Sequence, residues 1–478
     1  MSPKRSKIFV IKKGLNSTEM AVWQAIRTNE LSFGLRLDPE FYQPKYLELE
    51  KKLLSFCKEN VSSYASLSIT PFEPARVNKF NYIEISDIKL DLGEVDFQSI
   101  GTNQTPDRAK FLMKGGEILV STVRPNRSAI GLLPRNYHDY VVSSGFAPLK
   151  PVSVLFRAFL FIWFKTEFVT EWLTRYSTAS MYPAVAVQDI INVPIFKPSP
   201  ELLVALDKKI REIEILLEKS KKLYPEAEQE LLERMEWGEV KTDHVLSYAA
   251  TSKDIMADER LDPEFYQPKF ERLENHLKKI GAIPLGDFCP TINRGVSPIY
   301  VESGEISIVN SQNLSATGVI AAADLEKTEL SFYENDKNEK ARLKQFDVLV
   351  YATGAYIGRT NCWFENTKAI AGIDCLIIKP DSRTCNPAYL ALFLNSQAGL
   401  MQASCRASGS AQRHLYPNDL VKYQVFIPRD KMDKPDMAWQ KKLADKIIAA
   451  NDAQKVANQK LREAKGLVEK EIGKLIRR

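Results

Sequence analysis

Side chains that can read a base edge or hold a phosphate gather in the loop-like stretches of this chain. The first set is Arg76, Asn78 and Lys79, then Thr122, Arg124, Asn126 and Arg127, then Ser177, Thr178, Ser180 and Tyr182. A second set of the same character follows much later. It comprises Asn293, Arg294 and Ser297, then Ser311, Gln312 and Asn313, then Thr353, Tyr356 and Arg359, and finally Ser408, Ser410, Gln412, Arg413 and His414. Arginine reads guanine through two parallel hydrogen bonds, and Asn or Gln reads adenine. Ser, Thr and Lys hold phosphate oxygens. Any one such residue is more often plain solvated surface; taken together, the two sets point to a DNA-facing surface.

Catalytic chemistry is harder to find. The sequence has no G-x-S-x-G, no phosphate-binding P-loop, no G-x-G-x-x-G after a strand and no H-E-x-x-H. Asn386-Pro387-Ala388-Tyr389 is one letter from the Asn-Pro-Pro-Tyr motif with which amino-group DNA methyltransferases grip a flipped base. No glycine loop for S-adenosylmethionine accompanies it, so the segment reads as a helix start with Pro in the first turn. Asp38 with Glu40, and Asp262 with Glu264, are carboxylate pairs beside proline, and they read as helix caps. Four histidines (138, 244, 276, 414) show no i, i+3 or i, i+4 pairing, and six cysteines (57, 289, 362, 375, 385, 405) show no C-x-x-C. This pattern argues against a metal site and suits a reduced cytoplasmic interior.

Net charge is +6 over 478 residues, with 44% hydrophobic content. The isoelectric point near 8.7 is compatible with nucleic acid without demanding it. No run of about 20 apolar residues is present, so no membrane span is expected. The basic start, Met1 to Lys7, is followed by too short an apolar run for a secretory signal.

The elements that must position these loops come in two copies. Residues 36–45, Arg-Leu-Asp-Pro-Glu-Phe-Tyr-Gln-Pro-Lys, recur letter for letter at 260–269. Beyond this segment the copies align at an offset of 230. Glu117-Ile118-Leu119-Val120 meets Asp347-Val348-Leu349-Val350, the apolar run 159–164 meets 389–394, and Asp189 with Pro198 meets Asp419 with Pro428. Between these anchors the copies diverge: Arg124-Pro125-Asn126-Arg127 stands where the second copy has Gly354-Ala355-Tyr356-Ile357. One scaffold with different loops implies two related but different targets. Segments 117–122, 347–352 and 375–378 read as strands. One helical stretch follows in each copy, near 159–176 and 388–402. The strands are too irregularly spaced for a doubly wound parallel sheet, so the fold class is α/β in the mixed, α+β sense. Residues 1–35 lie outside the repeat, with a helical turn or two expected near 19–26.

Each copy closes on a long helix. In the second, Leu443, Ile447, Ala450, Ala457, Leu461, Ala464, Val468 and Leu475 follow a 4-3 spacing, broken only at Gln454 and Glu471. In the first, Leu206, Ile210, Ile213, Leu217, Ala227 and Leu231 do the same, and Pro225 is expected to kink or restart the helix. About 35 helical residues span roughly 50 Å. From Met437 to Arg478 there are 11 Lys and Arg against 5 Asp and Glu; from Glu201 to Trp237 there are 7 against 10. An acidic and a basic helix with matching seams favour each other, and the duplication makes the pair antiparallel. The chain thus divides into an N-terminal extension (1–35), a first recognition domain (36–200), a central helical spacer (201–259), a second recognition domain (260–430) and a C-terminal helical spacer (431–478).

Over residues 36–478 the chain resembles the specificity (S) subunits of Type I restriction-modification systems. The resemblance rests on the repeated Arg-Leu-Asp-Pro-Glu-Phe-Tyr-Gln-Pro segment. It rests also on Gly286-Asp287, Ile292-Asn293-Arg294-Gly295, Ser297-Pro298, Asp347 to Val350, Gly354 with Ile357-Gly358-Arg359, and the exit 415–428 before a long helix. It implies two target-recognition domains, each reading one half of a split double-stranded DNA target. The antiparallel coiled coil would fix the gap between the half-sites at about one helical turn of DNA. Two methyltransferase (M) subunits would dock on the chain, and restriction (R) subunits could join. S-adenosylmethionine, ATP and Mg would then sit on the partners, with no cofactor, catalytic residue or metal on this chain. A coiled-coil scaffold without DNA reading, and an adenine methyltransferase acting through Asn386 to Tyr389, are the competing readings.

Overall fold

The computed structural model describes residues 7–12, 22–27, 38–178, 182–252, 255–256, 260–320, 325–409 and 412–477; for 7–12 and 22–27 it describes the backbone alone. The chain forms two compact units. One comprises residues 1–214 with 457–478, and the other 215–456. Each unit therefore holds one body of strands and short helices together with part of both long helices.

In the first unit, one four-stranded sheet runs in the order Ala65–Leu67, Phe146–Pro151, Ile118–Ser121, Ile130–Leu132, with every neighbour antiparallel. A second sheet runs Gln98–Gly101, Lys79–Ile83, Val141–Ser143, Ala109–Leu112, and its central pair is parallel. The second unit repeats this plan strand for strand. Its first sheet runs Ile292–Arg294, Cys375–Ile378, Val348–Tyr351, Thr360–Cys362, all antiparallel. Its other sheet runs Lys327–Thr328, Ile306–Val309, Ala369–Ala371, Arg342–Leu343, again with a parallel central pair. The duplication read from ten identical residues is thus a duplication of topology.

The strands at 118–121, 348–351 and 375–378 form where short β-rich runs place them. Their side chains are buried, Tyr351 only in part, because each sheet is covered, and so they read as short continuous apolar runs. The single helical stretch expected in each copy is two helices, Val154–Phe164 with Glu167–Tyr176, and Pro387–Asn395 with Gln397–Arg406. Hydroxyls divide them: Thr166 Oγ1 donates to the Trp163 carbonyl at 2.7 Å and Ser396 Oγ to Phe393 at 2.6 Å, drawing each first helix to a close. The N-terminal extension also differs from expectation. Val22–Arg27 is a strand paired antiparallel with Lys7–Lys12, where a helical turn was expected. The run Val22-Trp23-Gln24-Ala25-Ile26 is mostly β-branched and aromatic, which suits a hairpin better than one helical turn. Residues 19–21 lie outside the described residues.

Asp38 and Asp262 stand at the starts of the short 3-10 turns Pro39–Tyr42 and Pro263–Tyr266, but neither side chain makes the cap hydrogen bond. Asp262 instead grips the Arg260 guanidinium through two bonds, Nε to Oδ1 at 2.7 Å and Nη2 to Oδ2 at 2.8 Å. Hydrogen bonding to Arg260 holds the Asp262 carboxyl below its usual range. The remaining Arg260 donors close the end of the helix Gln397–Arg406 on the carbonyls of Arg406 and Ala407. The identical segment thus latches the start of the repeat onto that helix.

The long helices are Pro200–Arg234 and Met437–Arg477. Within the first unit Lys209 meets Glu463 at 2.6 Å and Lys460 meets Glu212. Within the second, Ser220 Oγ donates to the Ala450 carbonyl at 3.0 Å, Lys446 meets Glu226 at 3.6 Å, and Lys442 meets Glu230 at 2.6 Å. Rising numbers on one helix meet falling numbers on the other, so both segments are antiparallel. Leu206, Ile210, Ile213, Ala227 and Leu231 are buried, as are Leu443, Ile447, Ala450, Ala457, Leu461, Ala464 and Val468. This seam supplies most of the attraction, since exposed ion pairs contribute about 0–1 kcal/mol each. The helix does not restart at Pro225. Pro225 faces outward, and its buried neighbours Tyr224 and Ala227 carry the seam across it.

Each body is tied to its helices by a different device. In the first unit the Arg157 guanidinium bridges the Gly116 carbonyl (3.1 Å), the Leu133 carbonyl (2.9 Å) and Glu214 (2.8 Å). In the second, Asn395 Nδ2 donates to the Tyr224 hydroxyl at 2.9 Å, and Gly318 packs so close to the Tyr224 ring that a Cβ there would lie 2.6 Å from it.

Candidate nucleic-acid interface

In each unit a loop leaves the end of a central strand and is crossed by the segment that enters the last short helix. In the first unit, the bridges Val123 to Ala184 and Thr178 to Ala184 tie the two together. Two further backbone bonds reinforce them, Arg124 N–H to the Pro183 carbonyl at 2.7 Å and Val185 N–H to Thr122 at 2.9 Å. In the second unit the bridges are Thr353 to His414 and Ser408 to His414. The bonds are Gly354 N–H to Arg413 at 3.2 Å and Leu415 N–H to Ala352 at 2.8 Å. Every one of these positions is related by the same offset of 230.

Carboxylates hold both frames open at their bases. Lys114 N–H donates to Glu117 (3.0 Å) and Lys344 N–H to Asp347 (2.9 Å). Ala186 N–H donates to Asp189 (3.1 Å) and Tyr416 N–H to Asp419 (2.8 Å). Burial pushes the Asp347 carboxyl up, and its bond to the Lys344 backbone opposes that shift. The acidic residues that aligned the two copies are thus the ones that set the loop geometry.

The side chains on the shared frame differ. Arg124 takes a left-handed conformation (φ 50°, ψ 60°), and its guanidinium lies 5.3 Å from the centre of the Tyr182 ring, which is 64% exposed. Asn126 and Arg127 follow, both exposed, on the turn Pro125–Arg127, whose Pro125 is buried. In the second unit Thr353 Oγ1 lies 3.2 Å from His414 Nδ1, and His414 stacks on Tyr416. Arg294 lies 6.0 Å from that Tyr416 ring while its Nε donates to the Ile373 carbonyl at 2.9 Å. Tyr356, 57% exposed, lies beneath the Arg359 guanidinium at 4.0 Å. Arg294, Thr353, His414 and Tyr416 are therefore joined into one cluster of donors and rings, in which Tyr416 is exposed, Arg294 and His414 are half-buried and Thr353 is buried.

Other candidates are engaged within the fold. Arg413 donates to the Ser404 and Ala407 carbonyls and so closes the end of the helix Gln397–Arg406. Arg359 donates to the Leu314 carbonyl at 3.3 Å, and burial lowers the pKa of its guanidinium. Asn313 accepts from Asn310 N–H at 2.7 Å, closing a turn. Thr122 is buried and donates to the Gly145 carbonyl at 2.9 Å. Arg76 pairs with Glu73 at 2.7 Å; it and the exposed Lys79 belong to the other sheet and its approach. Ser297, Gln312 and Gln412 are exposed. Ser180 and Ser410 lie outside the described residues. Tyr416 was missed in the sequence; its one signal is its place immediately before the Pro417-Asn418-Asp419 cap.

Asn386 caps its helix as expected, accepting from Ala388 N–H at 2.9 Å and Tyr389 N–H at 3.3 Å. Tyr389 is fully buried, with its hydroxyl on the Phe426 carbonyl at 2.6 Å. A ring held this way is not presented to a base. The six cysteines are unpaired, and burial raises the Cys57 and Cys289 thiols to about 12. Among the described residues no group of three His, Cys, Asp or Glu could hold a metal ion, and no helix is long and apolar enough to cross a membrane.

No family model matches the chain. Over 143 residues it is 27% identical to the Type I restriction enzyme HindI specificity subunit of Haemophilus influenzae; the match spans 28% of this chain and 28% of that relative. Among solved structures it is similar to the HsdS subunit of Thermoanaerobacter tengcongensis, with 20% identity, 86% and 95% of the two chains covered, and a TM-score of 0.30. It is also similar to the Type I restriction-modification S subunit of M. genitalium, with 11% identity, 87% and 94% covered, and a TM-score of 0.38. The name of the HindI relative is that of the class which the repeated segment resembles, the specificity subunits of Type I systems.

Proposed function

We propose that this chain is the DNA sequence-recognition subunit of a Type I restriction-modification complex. Each α/β body reads one half of a bipartite double-stranded target through the loop pair built on its central strand. The observation that carries this reading is the reuse of one backbone frame, position for position, with different polar and aromatic side chains mounted on it. A protein selecting one symmetrical target would have no need for two differing loop sets. The antiparallel helices set the gap between half-sites and give docking surfaces to two methyltransferase subunits, and restriction subunits join that assembly. Chemistry belongs to the partners, which bring S-adenosylmethionine, ATP and Mg; this chain binds and positions, and does so in the cytoplasm as part of phage defence.

Binding follows from elementary terms. Lysines and arginines at the loops neutralise phosphates and make affinity fall with salt, while loop side chains select bases in the major groove. The partner's methyltransferase then acts on an adenine turned out of the helix. The test is co-expression of the chain with its methyltransferase subunit, followed by affinity measurement on duplexes carrying one or both half-sites. Arg294→Ala is expected to weaken the half-site read by the second unit and spare the other. Equal loss on both half-sites overturns the two-reader arrangement.

A further inference from the structure

Positions 124 and 182 in the first unit correspond, at the offset of 230, to 354 and 412 in the second. Both pairs are held side by side by the same backbone bond, from the residue at 124 or 354 to the carbonyl of 183 or 413. The first pair is Arg and Tyr; the second is Gly and Gln. We infer that these two positions form the specificity-determining pair of each reader: Arg124, braced on Tyr182, selects a guanine in one half-site, and Gln412, beside Gly354, selects an adenine in the other. This rests on the DNA-reading function proposed above.

Three observations carry the assignment. First, among the described residues no hydrogen bond or ion pair engages the Arg124 guanidinium; the Tyr182 ring is its one described side-chain contact. Arg359 and Arg413, by contrast, donate to main-chain carbonyls. An arginine fixed over an aromatic face keeps its donors free and loses little freedom on binding, which suits the two acceptors of guanine. Second, Arg124 and Ser128 hold left-handed conformations where the second unit has Gly354 (φ 120°) and Gly358 (φ 87°). A side chain there costs about 1–2 kcal/mol, so the loop carries Arg124 against its own backbone preference, as strained functional positions do. Third, Gln412 is exposed, and the residue beside it across the backbone bond, Gly354, carries no side chain that could compete with it for a base edge. Glutamine offers adenine one donor and one acceptor in the required geometry.

The test is methylation mapping of a host that carries the full chain and its methyltransferase subunit. The chain is compared as wild type, as the double variant Arg124→Gly with Tyr182→Gln, and as Gln412→Ala. Wild type should give a bipartite motif with a fixed guanine in one half and a fixed adenine, besides the methylated one, in the other. The double variant should lose discrimination at the guanine by roughly 5- to 150-fold and leave the other half unchanged; Gln412→Ala should do the reverse. Ser128→Gly, in the same loop, should leave the motif intact. If the double variant fails to fold, Arg124→Lys decides, because it keeps the charge and removes the two-pronged fork. Relaxation at the guanine then supports the assignment, and an unchanged motif overturns it. A wild-type motif insensitive to all these variants overturns this inference alone. The absence of any bipartite motif with the wild type overturns the proposed function together with it.

Discussion

Replacing Arg157 with Met removes the fork that ties the first body to its helix while keeping the apolar stem. Arg157 is only 4% exposed; burial lowers the pKa of its guanidinium, and the Glu214 carboxylate opposes that shift. The substitution leaves the carbonyls of Gly116 and Leu133 without their donors. An orphaned buried acceptor costs about 1–3 kcal/mol. The Glu214 carboxylate is 36% exposed, so its loss of a partner adds no more than about 1 kcal/mol. Release of the desolvation held by the buried charge offsets part of this. The net expectation is a loss of about 2–4 kcal/mol in the first unit. At about 2–4 °C per kcal/mol for a unit of this size, its melting temperature falls by roughly 4–15 °C. Thermal and urea unfolding of the full chain read this directly, and a double-mutant cycle with Glu214→Gln isolates the ion pair from the two carbonyl bonds. A change under about 1 kcal/mol for Arg157→Met would refute the claim that this fork attaches the first body to the helix.

Three further outcomes follow from the same geometry. Glu230 bonds to Lys442 and Lys446, and those bonds hold its carboxyl below the usual range, so the stability it adds is present above its unfolded pKa and is lost as pH falls through the folded value. Glu230→Gln should therefore melt below wild type at neutral pH and converge with it in acid; a constant gap across that range would contradict this. Inserting four residues near 217 together with four near 453, about one turn in each helix, should lengthen the tolerated gap between half-sites; an unchanged gap would remove the spacer role. Raising salt from 50 to 200 mM should cut affinity on specific and random duplexes alike, and a flat response would remove the phosphate contacts.

Much of this fold is legible from residue pattern because it is built twice. The acidic residues Glu117, Asp347, Asp189 and Asp419 aligned the copies, and they cap the backbone turns that frame the loops. The seam was legible from apolar spacing, but Ser220 and Tyr224 fill it as well, and neither fits an apolar template. Pro225 broke the reading without breaking the helix, because tertiary burial on the opposite face outweighs one missing hydrogen bond. What the sequence could not show is which polar loop residues are already committed. Arg413 with Ser404, Asn313 with Asn310 and Thr122 with Gly145 are bonds between side chain and main chain, and Thr122 reaches a carbonyl 23 residues away. The Asn310–Asn313 bond follows a capping-box spacing, but no spacing rule announces the other two, so a committed arginine and an available one look alike until the chain is folded.

The most direct measurement is single-molecule methylation mapping of host DNA with and without this gene. The expected result is a bipartite N6-methyladenine motif, with two unlike halves at a fixed gap, that disappears on deletion. A methylation pattern that is unchanged when the gene is removed, in a host where the chain and the proposed methyltransferase subunit are both expressed, would contradict it.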